Sequence, residues 1–274
     1  MSVQKIRFSG VRPFDLEVHF EETRSSAEEE HFEPHTHRDC EIYINLSGDV
    51  SFMVENRVYP IAPGCVILTR PDEFHHCIYH SFREPHRHYC IRFSPIGNEA
   101  LLHRFFDRAP GTENLICLGA EELHEVGRLC RGLLEEREDE LLRYGTFFSL
   151  LSILCMSSLT TPTRGETIFP SDVRVALDYI QASLPSPITV AELAAEAHVS
   201  VNTLERHFLA SMQVTPSEFL KERRLAIAQA LLRDGRSVLE ACEGSGFSDY
   251  SYFIALFRRR FGVTPLRYKK QWYG

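Results

Sequence analysis

The repeat of hydrophobic positions changes along the chain, and each change marks a boundary. From His31 to Ser94, Ile, Val, Tyr and Phe fall in short alternating runs. These are broken by Ser47-Gly48-Asp49, Glu55-Asn56-Arg57, Ala62-Pro63-Gly64 and Pro71-Asp72. Such spacing predicts an antiparallel barrel or sandwich. Two earlier alternations, Ile6-Arg7-Phe8 and Leu16-Glu17-Val18-His19-Phe20, predict lead-in strands, followed by an acidic, solvated loop over 25–30. From 97 to 159 the period lengthens to that of helices. A short helix is expected over 99–108 and two longer ones over 120–137 and 140–158. Their apolar faces are Leu123, Val126, Leu129 and Leu133, then Leu141, Phe148, Leu151, Ile153 and Leu154. Two helices joined tightly make an antiparallel hairpin. Residues 160–170 have linker composition, and a supporting helix over 172–184 opens the last region.

That last region repeats itself. Ser237 and Glu240 form a capping-box pattern, in which each side chain satisfies an orphan amide at a helix start. Thr189 and Glu192 form the same pattern 48 residues earlier. Gly244, Ser245 and Gly246 stop the later short helix, and Ser248 or Asp249 caps the next. In that next helix Phe253, Phe257 and Phe261 recur every four residues, matching Leu204, Phe208 and Met212 in the earlier copy. Val214-Thr215-Pro216 returns as Val263-Thr264-Pro265. Two copies of one supersecondary unit follow, each a pair of short helices with a tight turn, which is a helix-turn-helix. Between them Thr215, Pro216 and Glu218 start one helix that Gly235 ends. Its length of roughly 25 to 30 Å suits two recognition helices one DNA turn apart.

The stretch from Ser237 to Pro265 resembles the signature of the AraC/XylS family of bacterial transcription regulators. The match runs through Ser237, Val238, Gly246, Phe247, Ser248, Asp249, Ser251, Tyr252, Phe253, Phe257, Gly262, Thr264 and Pro265, and departs at Ala241-Cys242, where the family has Ile-Ala. The resemblance implies an α+β chain of two domains: a cupin-like effector-binding β-barrel over 1–95 with a helical hairpin over 96–160, a linker over 161–170, and an all-α double helix-turn-helix DNA-binding domain over 171–274. It also implies that the hairpin dimerises the sensor into a homodimer. The alternative is a hairpin packed only on its own barrel.

Composition refines this picture. With 274 residues, 43% of them hydrophobic, the chain can build two cores. The net charge of −8 is unevenly spread. Residues 171–274 hold 13 Lys and Arg against 11 Asp and Glu, whereas residues 1–170 hold 17 against 27. Residues 250–274 carry six basic residues and no acidic one, and phosphate affinity follows this local field rather than the total. No apolar run of membrane length and no signal-peptide pattern occur, so a cytoplasmic protein is expected. Cys40, Cys65, Cys77, Cys90, Cys117, Cys130, Cys155 and Cys242 form no C-x-x-C pair. They are expected as reduced thiols filling the core.

On the first recognition helix Asn202, Thr203, Glu205 and Arg206 lie on the outward N-terminal side. By position they match the base-reading residues of the family the chain resembles. Arg206 has the geometry for guanine O6 and N7, and Asn202 for adenine N6 and N7. The second helix offers Tyr250, Ser251, Ile254 and Ala255, of which Ile254 and Ala255 suit only thymine methyls, so weaker sequence reading is expected there. Arg258, Arg259, Arg260, Arg267, Lys269 and Lys270 are expected on phosphates, which set register rather than sequence.

The barrel has its own constellation. His35, His37 and Glu41 share one strand parity, and with Gly48 they resemble the first cupin motif. The second is partly present as Pro63-Gly64, with His75 eleven residues after Gly64. His35, His37, Glu41 and His75 would suit Zn, Fe, Mn or Ni. In sensor barrels of the family this pattern also serves hydrogen bonding and packing without metal. The expected effector lining is His35, His37, Glu41, Tyr43, Arg70 and His75, while His76, His80, His86 and His88 are read as rim or surface. The whole reading is a non-enzymatic transcription regulator, an activator acting on double-stranded DNA with RNA polymerase as partner, without membrane association. Its small-molecule effector is a sugar by family analogy. Its rival is a metal-dependent cupin enzyme, an isomerase or dioxygenase, fused to a DNA-binding domain.

Overall fold

A computed structural model describes residues 4–8, 15–24, 34–95, 102–135, 139–160 and 169–273. The acidic stretch 25–30 and most of the expected linker lie outside them. The chain divides into two compact units, one carrying the strands and the hairpin and the other the C-terminal helices. Residues 34–36 group with the second.

In the first unit the strands are β1 (Gln4–Phe8), β2 (Leu16–Thr23), β3 (Cys40–Ser47), β4 (Asp49–Val54), β5 (Arg57–Ile61), β6 (Cys65–Thr69), β7 (His75–Ser81), β8 (His86–Phe93) and β9 (Leu115–Cys117). They form a six-stranded sheet ordered β1-β2-β8-β3-β6-β9 and a three-stranded sheet ordered β5-β4-β7, with every pairing antiparallel. Strand parity assigns the two faces of the larger sheet. Val18, Ile42, Ile44, Val66, Leu68 and Ile91 point outward, where α2 (Ala120–Leu134) and α3 (Glu140–Met156) cover them with Val126, Leu129, Leu133, Phe147 and Leu150. Tyr43 and Ile67 point inward against Phe52, Val54, Tyr59 and Tyr79 of the smaller sheet. With both faces covered, β3 is buried over its first six residues, Glu41 and Asn45 included. The turn after β3 requires Gly48: its φ is +102°, and a Cβ there would strike the His86 ring.

Three expectations are corrected. Among the described residues the helix expected over 99–108 is only α1 (His103–Phe106). On α3 the buried residues are Phe147, Leu150, Leu151 and Leu154, whereas Leu141 and Phe148 are exposed. Two cysteines are not free thiols: Cys65 and Cys117 face each other across the β6–β9 pairing and form a disulfide. The first unit closes where Leu159 bridges Ile116 and the Thr160 amide donates to the Leu115 carbonyl at 2.9 Å.

The second unit is all helix: α4 (Ser171–Ser183), α5 (Val190–Glu196), α6 (Val201–Met212), α7 (Pro216–Arg233), α8 (Val238–Gly244), α9 (Tyr250–Phe261) and α10 (Pro265–Tyr273). All three capping boxes form, at Thr189 with Glu192, Thr215 with Glu218, and Ser237 with Glu240. Ser200 caps α6, and Asp249 rather than Ser248 caps α9. Leu204, Phe208 and Met212 are fully buried, as are Phe253 and Phe257, each contributing roughly 1.5 to 3 kcal/mol relative to exposure. Phe208 meets Phe219 of α7 at 5.4 Å, while Phe257 meets Tyr268 of α10 at 5.4 Å. Each helix pair is therefore anchored to the shared α7 or its neighbour.

Candidate functional site

The outward faces of α6 and α9 carry the residues expected to meet DNA. Burying Leu204 and Phe208 turns Asn202, Glu205 and Arg206 to solvent, and all three are exposed. Thr203 is half-buried, its hydroxyl 2.8 Å from that of Ser200 in the cap, so it shapes the helix start as well as facing outward. On α9, Tyr250, Ser251 and Ala255 are exposed. Ile254 is not: it packs against the aromatic core of the second unit, which removes much of its methyl surface from the outward face.

The expected phosphate contacts divide into two groups. Arg258, Arg259, Arg267 and Lys270 are exposed. Arg260 is paired with Glu222 at 2.9 Å and lies over the Phe261 ring at 5.7 Å. The Lys269 ammonium donates to the Gly235 carbonyl at 2.7 Å, at the end of α7. These two cations brace the fold, whereas the other four leave their charge to solvent. The last turn of α9 is basic; that of α6 has no basic residue.

Inside the barrel, register builds a grid. Across one row stand Glu17, Arg92, Glu41 and Thr69; the next holds His19, Cys90, Tyr43 and Ile67; a third holds Glu21, His88 and Asn45. Arg92 donates to Glu17 at 2.9 Å. The His88 ring stacks on Tyr43 at 4.5 Å, with its Nε2 3.5 Å from Glu21. Burial pushes the His88 imidazole down to about 4 and the Tyr43 phenol well above its usual range. His76, His86 and His88 are buried, against the expectation that they lie on the rim, and only His80 is exposed. The signal for the missed residues was the alternation in Glu17-Val18-His19 and His88-Tyr89-Cys90-Ile91-Arg92, whose polar parity faces inward.

At one edge of this grid His37 Nε2 lies 3.0 Å from Glu41 Oε2, and His75 Nε2 lies 3.9 Å from the same oxygen. His37 Nδ1 faces the Asp39 carbonyl at 3.0 Å, and His75 Nδ1 the Glu73 carbonyl at 2.8 Å. A carbonyl only accepts, so both Nδ1 atoms carry the proton in this assignment. Burial pulls His75 down to about 4, leaving it a neutral ring with its Nε2 lone pair toward Glu41. Imidazoles held by backbone carbonyls and converging on a carboxylate are donors a divalent metal could use. His35 joins this set: the ligand nitrogens of His35, His37 and His75 all lie within 4.8 Å of one another. Arg70 spends its guanidinium on the Arg108 carbonyl at 3.0 Å and the Phe106 carbonyl at 3.5 Å, which takes it out of the expected lining.

Known proteins agree with this layout. A family model described as an AraC-like ligand binding domain matches residues 17–151, and one described as a helix-turn-helix domain matches residues 193–271. The probable transcriptional regulator LumQ of Photobacterium leiognathi is 24% identical over 242 residues, which cover 86% of this chain and 91% of that protein. The HTH-type transcriptional activator RhaR of Escherichia coli is 24% identical over 256 residues, 87% of each chain. Among solved structures, ToxT from Vibrio cholerae aligns over 96% of this chain and 99% of that one at 16% identity, with a TM-score of 0.36.

Proposed function

Because the chain belongs to the AraC family, it is a DNA-binding transcription regulator under effector control, and we propose that it is an activator switched by a sugar or related polyol in the barrel. The observation that carries the effector class is the inner grid of Glu17, Arg92, Glu41, Tyr43 and His88. It offers donors and acceptors in alternation, which suits a ligand made mostly of hydroxyl groups. RhaR is named as an activator, which supports the sign of regulation and hence RNA polymerase as the partner. Leu141, Phe148 and Met156 leave an apolar stripe exposed on α3, and this supports a homodimer built on the hairpin. Among the described residues no helix is long and apolar enough to cross a membrane. DNA as the target supports a cytoplasmic location.

The base-reading role is assigned to Asn202, Thr203, Glu205 and Arg206 on α6 and to Tyr250, Ser251 and Ala255 on α9, with Ile254 as a buttress. The effector acts only as far as it binds one arrangement of the protein better than another. The test is thermal melting of the full chain across a panel of monosaccharides and alditols, followed by operator binding with and without each hit. A true effector raises the melting temperature by mass action and shifts operator affinity. A ligand that stabilises the barrel yet leaves operator affinity untouched would sink this reading.

A second reading rests on His35, His37 and His75, with Glu41 beside them. If these hold a divalent metal, it would supply a Lewis-acidic centre for a hydroxylated ligand, and His37 and His75 would orient it through their Nδ1 bonds to the backbone. The first reading needs no resident cofactor and no turnover, because His37 and Glu41 already partner each other at 3.0 Å. Metal analysis of the purified chain, with His75→Gln alongside, separates the two. Stoichiometric metal that His75→Gln releases, together with turnover, would favour a cupin enzyme.

A further inference from the structure

Between the two helix-turn-helix units lies a groove of about 360 Å³. One wall is the start of α5, from the first helix-turn-helix, and the other is the turn from α8 into α9, from the second. Its back is a stripe of α7 carrying Ser217, Leu220, Lys221 and Arg224. Lys221 and Arg224 are the sixth and ninth of the 18 residues of α7, so they mark the middle of the rod. Both are half-buried.

Neither cation forms an ion pair. Among the described residues no carboxylate comes within ion-pair distance of either. Arg224 uses one Nη to donate to the Ile188 carbonyl at 2.8 Å, and its buried Nε has no hydrogen-bond partner. Burial lowers the affinity of that guanidinium for its proton, and no acid lies close enough to offset the cost. Two acids are near in sequence or on the rim. Glu218 accepts from the Thr215 amide and hydroxyl and acts on Lys221 only through space, while Asp249 accepts from the Tyr252 amide at 2.9 Å, so neither makes a direct bond to Lys221 or Arg224. Leaving charge half-desolvated without a counterion is costly, and an incoming anion would relieve it.

The anion is specified by position. Ser248, Asp249 and Tyr252 line the groove, and the exposed Tyr250 and Ser251 of the second reader belong to the same turn of α9. A duplex lying across α6 and α9 must carry its backbone past the middle of the rod that joins them. We propose that this groove is a phosphate site, in which Lys221 and Arg224 hold a backbone phosphate of the DNA between the two major grooves being read. This rests on the DNA-binding reading above and adds contacts that the outward faces of α6 and α9 do not provide.

The test uses the full chain and a duplex long enough for two successive major grooves, titrated over a range of salt concentrations. Lys221→Gln and Arg224→Gln should each lower the slope of log K against log salt by about one, and weaken binding to every sequence alike. Arg223→Gln, whose guanidinium is held by Gln181 at 2.7 Å on another face of α7, should leave the slope unchanged. Arg224→Gln loses the bond to Ile188, so melting is measured in parallel, and Lys221→Gln carries the result if Arg224→Gln does not fold. An unchanged slope in folded Lys221→Gln, or a loss confined to some sequences, overturns the proposal. Inorganic phosphate and pyrophosphate, added without DNA, form the second arm. If they raise the melting temperature of the wild type but not of Lys221→Gln while the DNA slope stays fixed, the groove serves a free anion and the DNA assignment fails. If the wild type binds no duplex at low salt, the regulator reading itself fails, and the groove proposal falls with it.

Discussion

The first reader turns from α5 into α6 through His198 at φ 55°, and the second turns from α8 into α9 through Gly246 at φ 83°. Both helices then end on a left-handed residue, Gln213 in one copy and Gly262 in the other. The skeletons agree, and so do the capping boxes, but the environments differ. His198 is exposed, with room for a side chain. Gly246 is buried, and a Cβ there would run into the Pro185 carbonyl and approach Arg224 Nε at 3.3 Å. A left-handed turn tolerates His where nothing packs on it and demands glycine where backbone does. The outward faces diverge as well. The first presents Asn202 and Arg206, groups with a hydrogen-bond code for bases, while the second presents Tyr250, Ser251 and a basic last turn. These faces support the proposed division of labour, with reading on α6 and holding on α9.

Three pairs of substitutions would break or sharpen that contrast. Gly246→Ala should cost about 3 kcal/mol, combining left-handed strain with a backbone clash, whereas His198→Ala should cost under about 0.5 kcal/mol, because His198 already bears the left-handed strain and is exposed. Denaturant melts of both variants check this, and equal losses would mean that the turns are equivalent. Next, Arg206→Ala should cost about 2 kcal/mol of operator affinity and relax discrimination at one base pair. Ser251→Ala should weaken binding less, with little change in preference; binding to a single-substitution operator series gives both numbers. Equal loss for Arg206→Ala on every sequence would remove α6 from base reading. The smallest effect concerns the caps: Thr189→Ala and Ser237→Ala should each cost about 1 kcal/mol of stability, since both supply the same reciprocal pair of bonds. A marked inequality would show that the repeat is less regular than its geometry.

Local rules made the helical unit legible. Caps, αL stops and a period of 3.6 are all written within four residues of where they act, so Thr189, Thr215, Ser237 and Gly262 could be placed without knowing the tertiary fold. The barrel was legible in class but not in lining. His88 reaches the interior because β8 lies between β2 and β3, a neighbour relation that spans some 70 residues of chain on one side, and no local pattern states it. The same holds for Cys65 and Cys117, 52 residues apart, since β9 is three residues long and gives almost no alternation. Arg70 was misread because a strand-end side chain can turn either way, and here the carbonyls at the end of α1 decide it. The groove around Lys221 and Arg224 was invisible because its walls come from two repeats and its back from the helix between them.

The uninterrupted helix from Pro216 to Arg233 makes the separation of the two readers an angular setting as well as a length. Each residue inserted into it would swing the second reader about 100° around the axis while advancing it only about 1.5 Å. A single-codon insertion or deletion there would turn Tyr250 and Ser251 away from the duplex, even with every contact inside each half intact. Operators with a different half-site phase are therefore closed to this protein by small steps in that helix, and a change of phase must come from the DNA.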